Sequence, residues 1–153
     1  PRETGPFAFG VSAVVRRRQP LVPAVLAYTE LIASGDDQVQ PVRDLSRQTV
    51  IEQLGNPAFL GFTSSVAGRR LTTVSAWASH EALSEAMRQG THSQAMQRFF
   101  AGGIAEGGHT AVFAAVRVGP RWRRCGACGT MTRLDAPQGG CSGCGARLEA
   151  LNG

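Results

Sequence analysis

The sequence predicts an α+β protein: a domain of order βαββαβ followed by a small cysteine-rich tail. Three observations carry this reading. Apolar runs of strand length, rich in Val, Phe and Thr, alternate with runs whose apolar residues recur at helical spacing. Two of the strand runs, 58–66 and 70–78, are joined only by Ala67-Gly68-Arg69, which marks a hairpin. All four cysteines lie beyond residue 120, as two C-x-x-C pairs.

Phe7 to Val15, bounded by Pro6 and Arg16-Arg17-Arg18, reads as a first strand. Beyond Pro20, the residues Leu21, Val22, Val25, Leu26, Tyr28, Leu31 and Ile32 recur at helical spacing. Gly35 then closes the run as a C-terminal cap would. Asp36 to Pro41 reads as a polar connection. A second short helix is expected over 44–54, with Leu45, Val50, Ile51 and Leu54 apolar. Asn56-Pro57 turns the chain into the hairpin, whose faces are mixed. Leu60, Phe62 and Val66 share one side; Phe59, Gly61, Thr63 and Ser65 take the other. On the partner strand Val74, Ala76 and Ala78 oppose Leu71, Thr73, Ser75 and Trp77. Neither face is simply polar, so both are expected to be covered.

Ser79 is placed to cap the next helix, with Leu83 and Met87 facing inward. Gly90 interrupts it, and Thr91-His92-Ser93-Gln94 has capping-box form, from which the helix resumes through Phe100. Ala101 to Gly108 holds four glycines and reads as a mobile loop. It lacks a Gly-Lys-Ser/Thr ending, so a phosphate-cradling loop is excluded. Thr110 to Val118 is the last strand, and Gly119-Pro120 divides a domain at 1–119 from a tail at 120–153. This order is the ferredoxin-like, split-βαβ arrangement, one antiparallel sheet with helices on one face. A second copy of the chain can cover the other face.

In the tail, Cys125-Gly-Ala-Cys128-Gly and Cys141-Ser-Gly-Cys144-Gly are separated by twelve residues. Each pair can grip one ion from a tight turn, and Gly129 and Gly145 let the backbone curl toward the sulfurs. Together Cys125, Cys128, Cys141 and Cys144 supply the closed tetrahedral set of a structural Zn²⁺ site. Two disulfides are the alternative, but cysteines so close in sequence pair poorly outside redox-active folds. The arrangement resembles the zinc-ribbon family. With no open coordination position, the metal holds the tail together and activates no water. A tail of about thirty residues is too small to fold without it.

At 153 residues and 42% hydrophobic, the chain has material for one packed core and this appendage. No apolar run approaches the roughly twenty residues that span a bilayer, so no membrane partner is expected. Pro1 to Gly10 lacks signal-peptide character, and the absence of an initiator methionine reads as a trimmed start. Reduced, metal-binding thiols imply a cytoplasmic setting. The formal charge is +5, and a Zn²⁺ tetrathiolate, at −2, brings it to +3. Arg16-Arg17-Arg18 and Arg121-Trp122-Arg123-Arg124 sit at strand ends, where solvated charge is ordinary. A nucleic-acid partner is therefore not expected.

Three stretches then take on meaning together: Thr72-Thr73-Val74-Ser75-Ala76-Trp77, Glu81-Ala82-Leu83, and Gly90-Thr91-His92-Ser93-Gln94-Ala95-Met96. Over about 7–118 the chain resembles the dimeric α/β-barrel superfamily. That group includes antibiotic-biosynthesis, quinol and haem-degrading monooxygenases and small stress-responsive proteins. The ribbon and the added helix over 44–54 depart from its pattern. The resemblance implies a homodimer with a small-molecule pocket inside each protomer, between sheet and helices. His92 shares a helical stripe with Ala95, Met96 and Phe99 and so points inward, where it can be a catalytic base, substrate anchor or haem ligand. Phe62, Trp77, Met96, Phe99 and Phe113 are expected to line the pocket. Met96 falls where haem-degrading relatives carry their axial histidine, a departure from haem degradation that leaves haem binding open. His80 and His109 are expected toward solvent, with His109 in reach of a pocket mouth.

No G-x-S-x-G elbow and no inward pair of carboxylates is present, which removes triad hydrolases and glycosidases. The leading expectation is a monooxygenase-like oxidoreductase acting on an aromatic or polyketide-like substrate. The alternatives are a haem-binding or haem-dependent enzyme on the same fold, and a non-enzymatic sensor or adaptor. The last would use its ribbon to contact protein or nucleic acid.

Overall fold

The computed structural model describes residues 9–14, 22–134 and 139–148. The chain divides into two units, Pro1–Ala115 and Val116–Gly153, slightly ahead of the Gly119-Pro120 pair. The first contains β1 (Phe9–Val14), β2 (Val25–Ala33), α1 (Val39–Gln53), β3 (Phe59–Ala67), β4 (Arg70–Trp77), α2 (His80–Arg88), α3 (Gly90–Ala101) and β5 (Ala105–Ala114). Its five strands form one sheet of order β1-β3-β4-β2-β5, antiparallel at every pairing. The ferredoxin-like α+β order runs β2-α1-β3-β4-(α2, α3)-β5. β1 is an addition to it, joined at the outer edge of β3.

The stretch after Pro20 forms a strand and not the expected helix. β2 lies between β4 and β5, so apolar residues are wanted on both of its faces. Val25 and Ala27 are buried on one face, and Leu26 and Tyr28 take the other. A strand apolar on both sides imitates helical spacing, which is why periodicity misreads it. Residues 7, 8 and 15 of the expected first strand, and Leu21 of the expected helix, lie outside the described residues.

α1 starts at Val39, earlier than residue 44. Pro41 is accommodated in its first turn, where a missing N–H costs no helical bond. Its inward stripe runs through Val42, Ser46, Thr49, Val50 and Gln53, with Val42 and Gln53 buried. Ile51 and Leu54, counted among the apolar residues of the expected helix, are 57% and 43% exposed.

The hairpin forms as expected, but one bulge changes its faces. The register moves from Phe59↔Trp77 to Gly61↔Ala76, leaving Leu60 as the extra residue. Phe59 and Phe62, expected on opposite sides, therefore both look toward the helices. Phe59 is 1% exposed and meets Trp77 edge-on, with ring centroids 5.0 Å apart. These two, with Val25, Ala27, Leu83 and Ala86, make the main core; Ala33, Val42 and Leu71 make a second.

Ser79 caps α2 as expected, its Oγ accepting the Ala82 N–H at 3.1 Å. The Thr91–Gln94 capping box does not form. The cap of α3 comes instead from α1: Glu52 Oε2 accepts the Thr91 N–H at 2.7 Å. Gly90 allows this, since it has φ +57° and any Cβ there would overlap the Glu52 carboxylate. The glycines of the expected loop also divide. Gly102 and Gly103 do form a turn, whereas Gly107 and Gly108 belong to β5, which begins at Ala105. A Cβ on Gly108 would collide with the β2 backbone at Glu30, so close strand approach accounts for that glycine.

Hydrogen bonds from Thr91, hydroxyl first and N–H second, hold Glu52 below the usual 4.5 against the opposing effect of desolvation. A carboxyl depressed on folding stabilises above its unfolded pKa, and that stability is lost as pH falls through the folded value. Glu52→Ala is accordingly expected to lower the Tm at pH 7, with the deficit shrinking toward pH 3. Thermal melts of both proteins at the two pH values check this.

Candidate functional site

Between the sheet and the three helices lies a cavity of about 500 Å³. Its floor comes from alternate residues of β2 and β4, including Ala27, Thr29, Thr73, Ser75 and Trp77. The bulge at Leu60 brings Phe59 and Phe62 to the same wall, and α3 adds His92, Met96 and Phe99. Four of the five residues expected to line a pocket, Phe62, Trp77, Met96 and Phe99, thus border one space with His92. Phe113 does not. It pairs with Leu26 on the other face of the sheet and is 56% exposed. The expectation for Phe113 rests on its aromatic character alone, and alternation along β5 carries it to the opposite face.

Polar groups in the lining are few and mostly engaged. Trp77 Nε1–H donates to Ser75 Oγ at 2.9 Å, the Thr29 and Thr110 hydroxyls meet at 3.1 Å, and Thr49 donates to Leu45 O at 3.0 Å. Among the described residues, His92 and His109 are the only titratable side chains in the lining, which includes no carboxylate and no arginine. The His92 ring has a defined tautomer. Its Nδ1 lies 2.7 Å from Met87 O in the last turn of α2, and a carbonyl can only accept, so Nδ1 carries the proton. In the neutral ring Nε2 is then an acceptor. His109 packs against Tyr28 with ring centroids 5.5 Å apart; His80 is exposed, 3.4 Å from Ser84 Oγ. Sequence reasoning missed Ser46, Thr49 and Gln53. The signal was their spacing on one stripe with Val42, obscured by the apolar Ile51 and Leu54.

The second unit contains β6 (Trp122–Arg124) paired with β7 (Met131–Arg133), and a bridge between Gly140 and Arg147. Its two cysteine turns repeat each other. The Gly129 N–H reaches Cys125 O at 2.9 Å, and the Gly145 N–H reaches Cys141 O at 2.8 Å. The four sulfurs all lie within 4.8 Å of one another, with Cys128–Cys141 at 3.5 Å and Cys125–Cys144 at 3.7 Å. A tetrahedron with metal–sulfur bonds of about 2.3 Å has edges of about 3.8 Å, so the set fits one ion. All four cysteines are free thiols, not disulfides, and the arrangement fits a small zinc ribbon.

The electrostatics favour a cation. The Thr132 hydroxyl and the Gly143 N–H lower Cys141 to about 6, and Thr130 lowers Cys128. Cys144 receives the lowering influence of the Ala146 N–H. Its thiol neighbours, Cys128 first, and desolvation still raise it to about 12. Four thiolates this close cannot all ionise unless a positive charge joins them. Among the described residues of this unit only Cys125, Thr132 and Cys141 are buried, so the sulfur cluster stands in for a hydrophobic core.

No family model matches the chain, and no curated protein matches it. Solved structures do. A single-site variant of SnoaB, a cofactor-independent oxygenase from Streptomyces nogalater, superposes with a TM-score of 0.54 at 14% identity. It covers 65% of this chain and 100% of its own. An antibiotic biosynthesis monooxygenase gives 0.52 at 14%, covering 61% and 99%. Rv0793 from Mycobacterium tuberculosis gives 0.55 at 12%, covering 61% and 96%. At such identities the likeness is one of fold: the ferredoxin-like fold of antibiotic biosynthesis monooxygenases.

Purified under reducing conditions, the chain is expected to carry one metal ion, lost in Cys141→Ala. Chelation should expose 116–153 to protease while the helical signal of α1 to α3 persists. Elemental analysis with limited proteolysis and circular dichroism measures both.

Proposed function

We propose that the larger unit is a monooxygenase-like oxidoreductase that takes an electron-rich aromatic or polyketide-like substrate into the cavity, with His92 as its base. The observation that carries this reading is the His92 tautomer. Fixing Nδ1–H on Met87 O leaves Nε2 to accept a proton beside a lining without carboxylates. The substrate gives up a proton from a hydroxyl, or from a ring carbon acidified by a neighbouring ketone. The resulting anion is rich enough in electrons to reduce dioxygen directly. One oxygen atom becomes a carbonyl oxygen where the carbon bore two hydrogens, and the other leaves with those hydrogens as water. All electrons come from the substrate, so no outside reductant is required. The fold-level likeness to a cofactor-independent oxygenase supports the same chemistry.

Haem is the other occupant that the resemblance implies. His92 would hold its iron, but among the described residues the lining has no arginine, and the chain has no lysine, to meet two propionates. No step is assigned to haem.

The four-thiolate site is assigned to zinc, which takes a closed tetrahedral sulfur set without redox change and serves here only to fold the ribbon. No described helix is long and apolar enough to cross a membrane. Free thiols fit a reducing compartment, and the cytoplasm is the location proposed. The sheet face bearing Leu26, 41% exposed, and Phe113 is proposed to meet the same face of a second copy.

Oxygen uptake with a panel of phenols, quinols and anthrones tests the chemistry. His92→Ala is expected to lower kcat about 10²- to 10⁴-fold with an unchanged Tm. Turnover equal to that of the parent chain would sink the assignment. For the assembly, sedimentation velocity is expected to give a dimer, and Phe113→Arg a monomer.

A further inference from the structure

α1 turns an unusual face toward the cavity. Ser46, Thr49 and Gln53 stand inward among Val42, Leu45 and Val50, while Ile51 and Leu54 are left to solvent. A helix covering an ordinary core would do the reverse. Gln53 is the extreme case. It is 9% exposed, borders both the cavity and a neighbouring hollow lined by Glu52, Asn56, Glu85 and Gln89, and its side-chain amide has no hydrogen-bond partner among the described residues. Buried amides nearly always have partners, because leaving one unmet costs the full desolvation of the group. No described residue supplies that partner, which leaves the part to water or a ligand in the cavity.

We infer that Gln53 selects the ligand: its amide receives a ring-borne oxygen of a neutral, planar aromatic molecule whose body lies against Phe62, Trp77 and Phe99. The amide offers both N–H and C=O, so it suits a carbonyl, a hydroxyl, or the two side by side. A charged ligand is disfavoured, since the described residues of the lining include no arginine and no carboxylate to neutralise it. This assignment rests on the cavity being the substrate site and narrows the substrate to oxygenated ring systems. It gives His92 and Gln53 separate tasks, proton acceptance and recognition.

The test uses two probes of nearly equal shape, 1-naphthol and 1-methylnaphthalene, in equilibrium dialysis against the full metal-loaded chain. The parent chain is expected to prefer 1-naphthol about tenfold, the worth of roughly one hydrogen bond. In Gln53→Leu and in the near-isosteric Gln53→Met, that preference disappears, binding of 1-methylnaphthalene is kept or improved, and the Tm does not fall. A preference unchanged in both variants overturns the assignment. So does an equal loss of affinity for both probes, the mark of a merely structural role. A preference retained by the Gln53 variants but removed by His92→Ala would transfer recognition to the imidazole and leave the proposed base intact. Failure of the parent chain to bind either probe would overturn the cavity as substrate site, and this inference with it.

Discussion

One carboxylate, Glu52, ties the end of α1 to the start of α3, and the position of His92 depends on that tie. The chain between β4 and β5 is two helices broken at Gln89 and Gly90. The break leaves unpaired N–H groups at the start of α3, facing a part of the fold that also holds the last turn of α1. Glu52 meets the Thr91 N–H with both charge and geometry suited to a helix N-terminus. One residue further on, His92 reaches back across the same break to Met87 O. The two bonds work as a pair. The first sets the direction of α3, and the second fixes which ring nitrogen is protonated. A continuous helix would have kept Met87 O inside its own ladder and left the imidazole without a fixed tautomer.

Much of the architecture was legible in the sequence, and the errors have physical causes. The β3–β4 hairpin, the Ser79 cap, the break at Gly90 and the four-cysteine cluster all depend on residues with one dominant local use. β2 was misread because a central strand is apolar on both faces, and periodicity cannot separate that from a helix. The five-residue difference in β5 followed from treating Gly107 and Gly108 as loop, when Gly108 marks close packing against Glu30. For the site, His92, Met96 and Phe99 could be placed together because a helical stripe is fixed by spacing. Phe59 and Phe62 could not, since a bulge leaves no mark in composition. The polar face of α1 was hidden by the prior that apolar side chains point inward.

The two units are stabilised by different physics. The first has two clusters of buried apolar side chains under three helices. The second has, among its described residues, only Cys125, Thr132 and Cys141 buried, far short of a hydrophobic core. Its fold is therefore conditional on charge. The cysteines repel as thiolates and attract through a cation, so ion binding and folding are the same event. A site closed by four sulfurs has no position for a substrate, so the proposed chemistry belongs to the first unit.

The size of the cavity constrains what the first unit can be. Its volume of about 500 Å³ is partly open to solvent, so water fills it when the protein is free and something better suited can replace that water. A wall made only of Phe59, Phe62, Trp77, Met96 and Phe99 would hold water poorly. Ser46, Thr49 and Gln53 on α1 give the opposite wall the means to hold it. That asymmetry suits a ligand with an apolar ring face and an oxygenated edge, which would release the water from the aromatic side and replace its hydrogen bonds on the other.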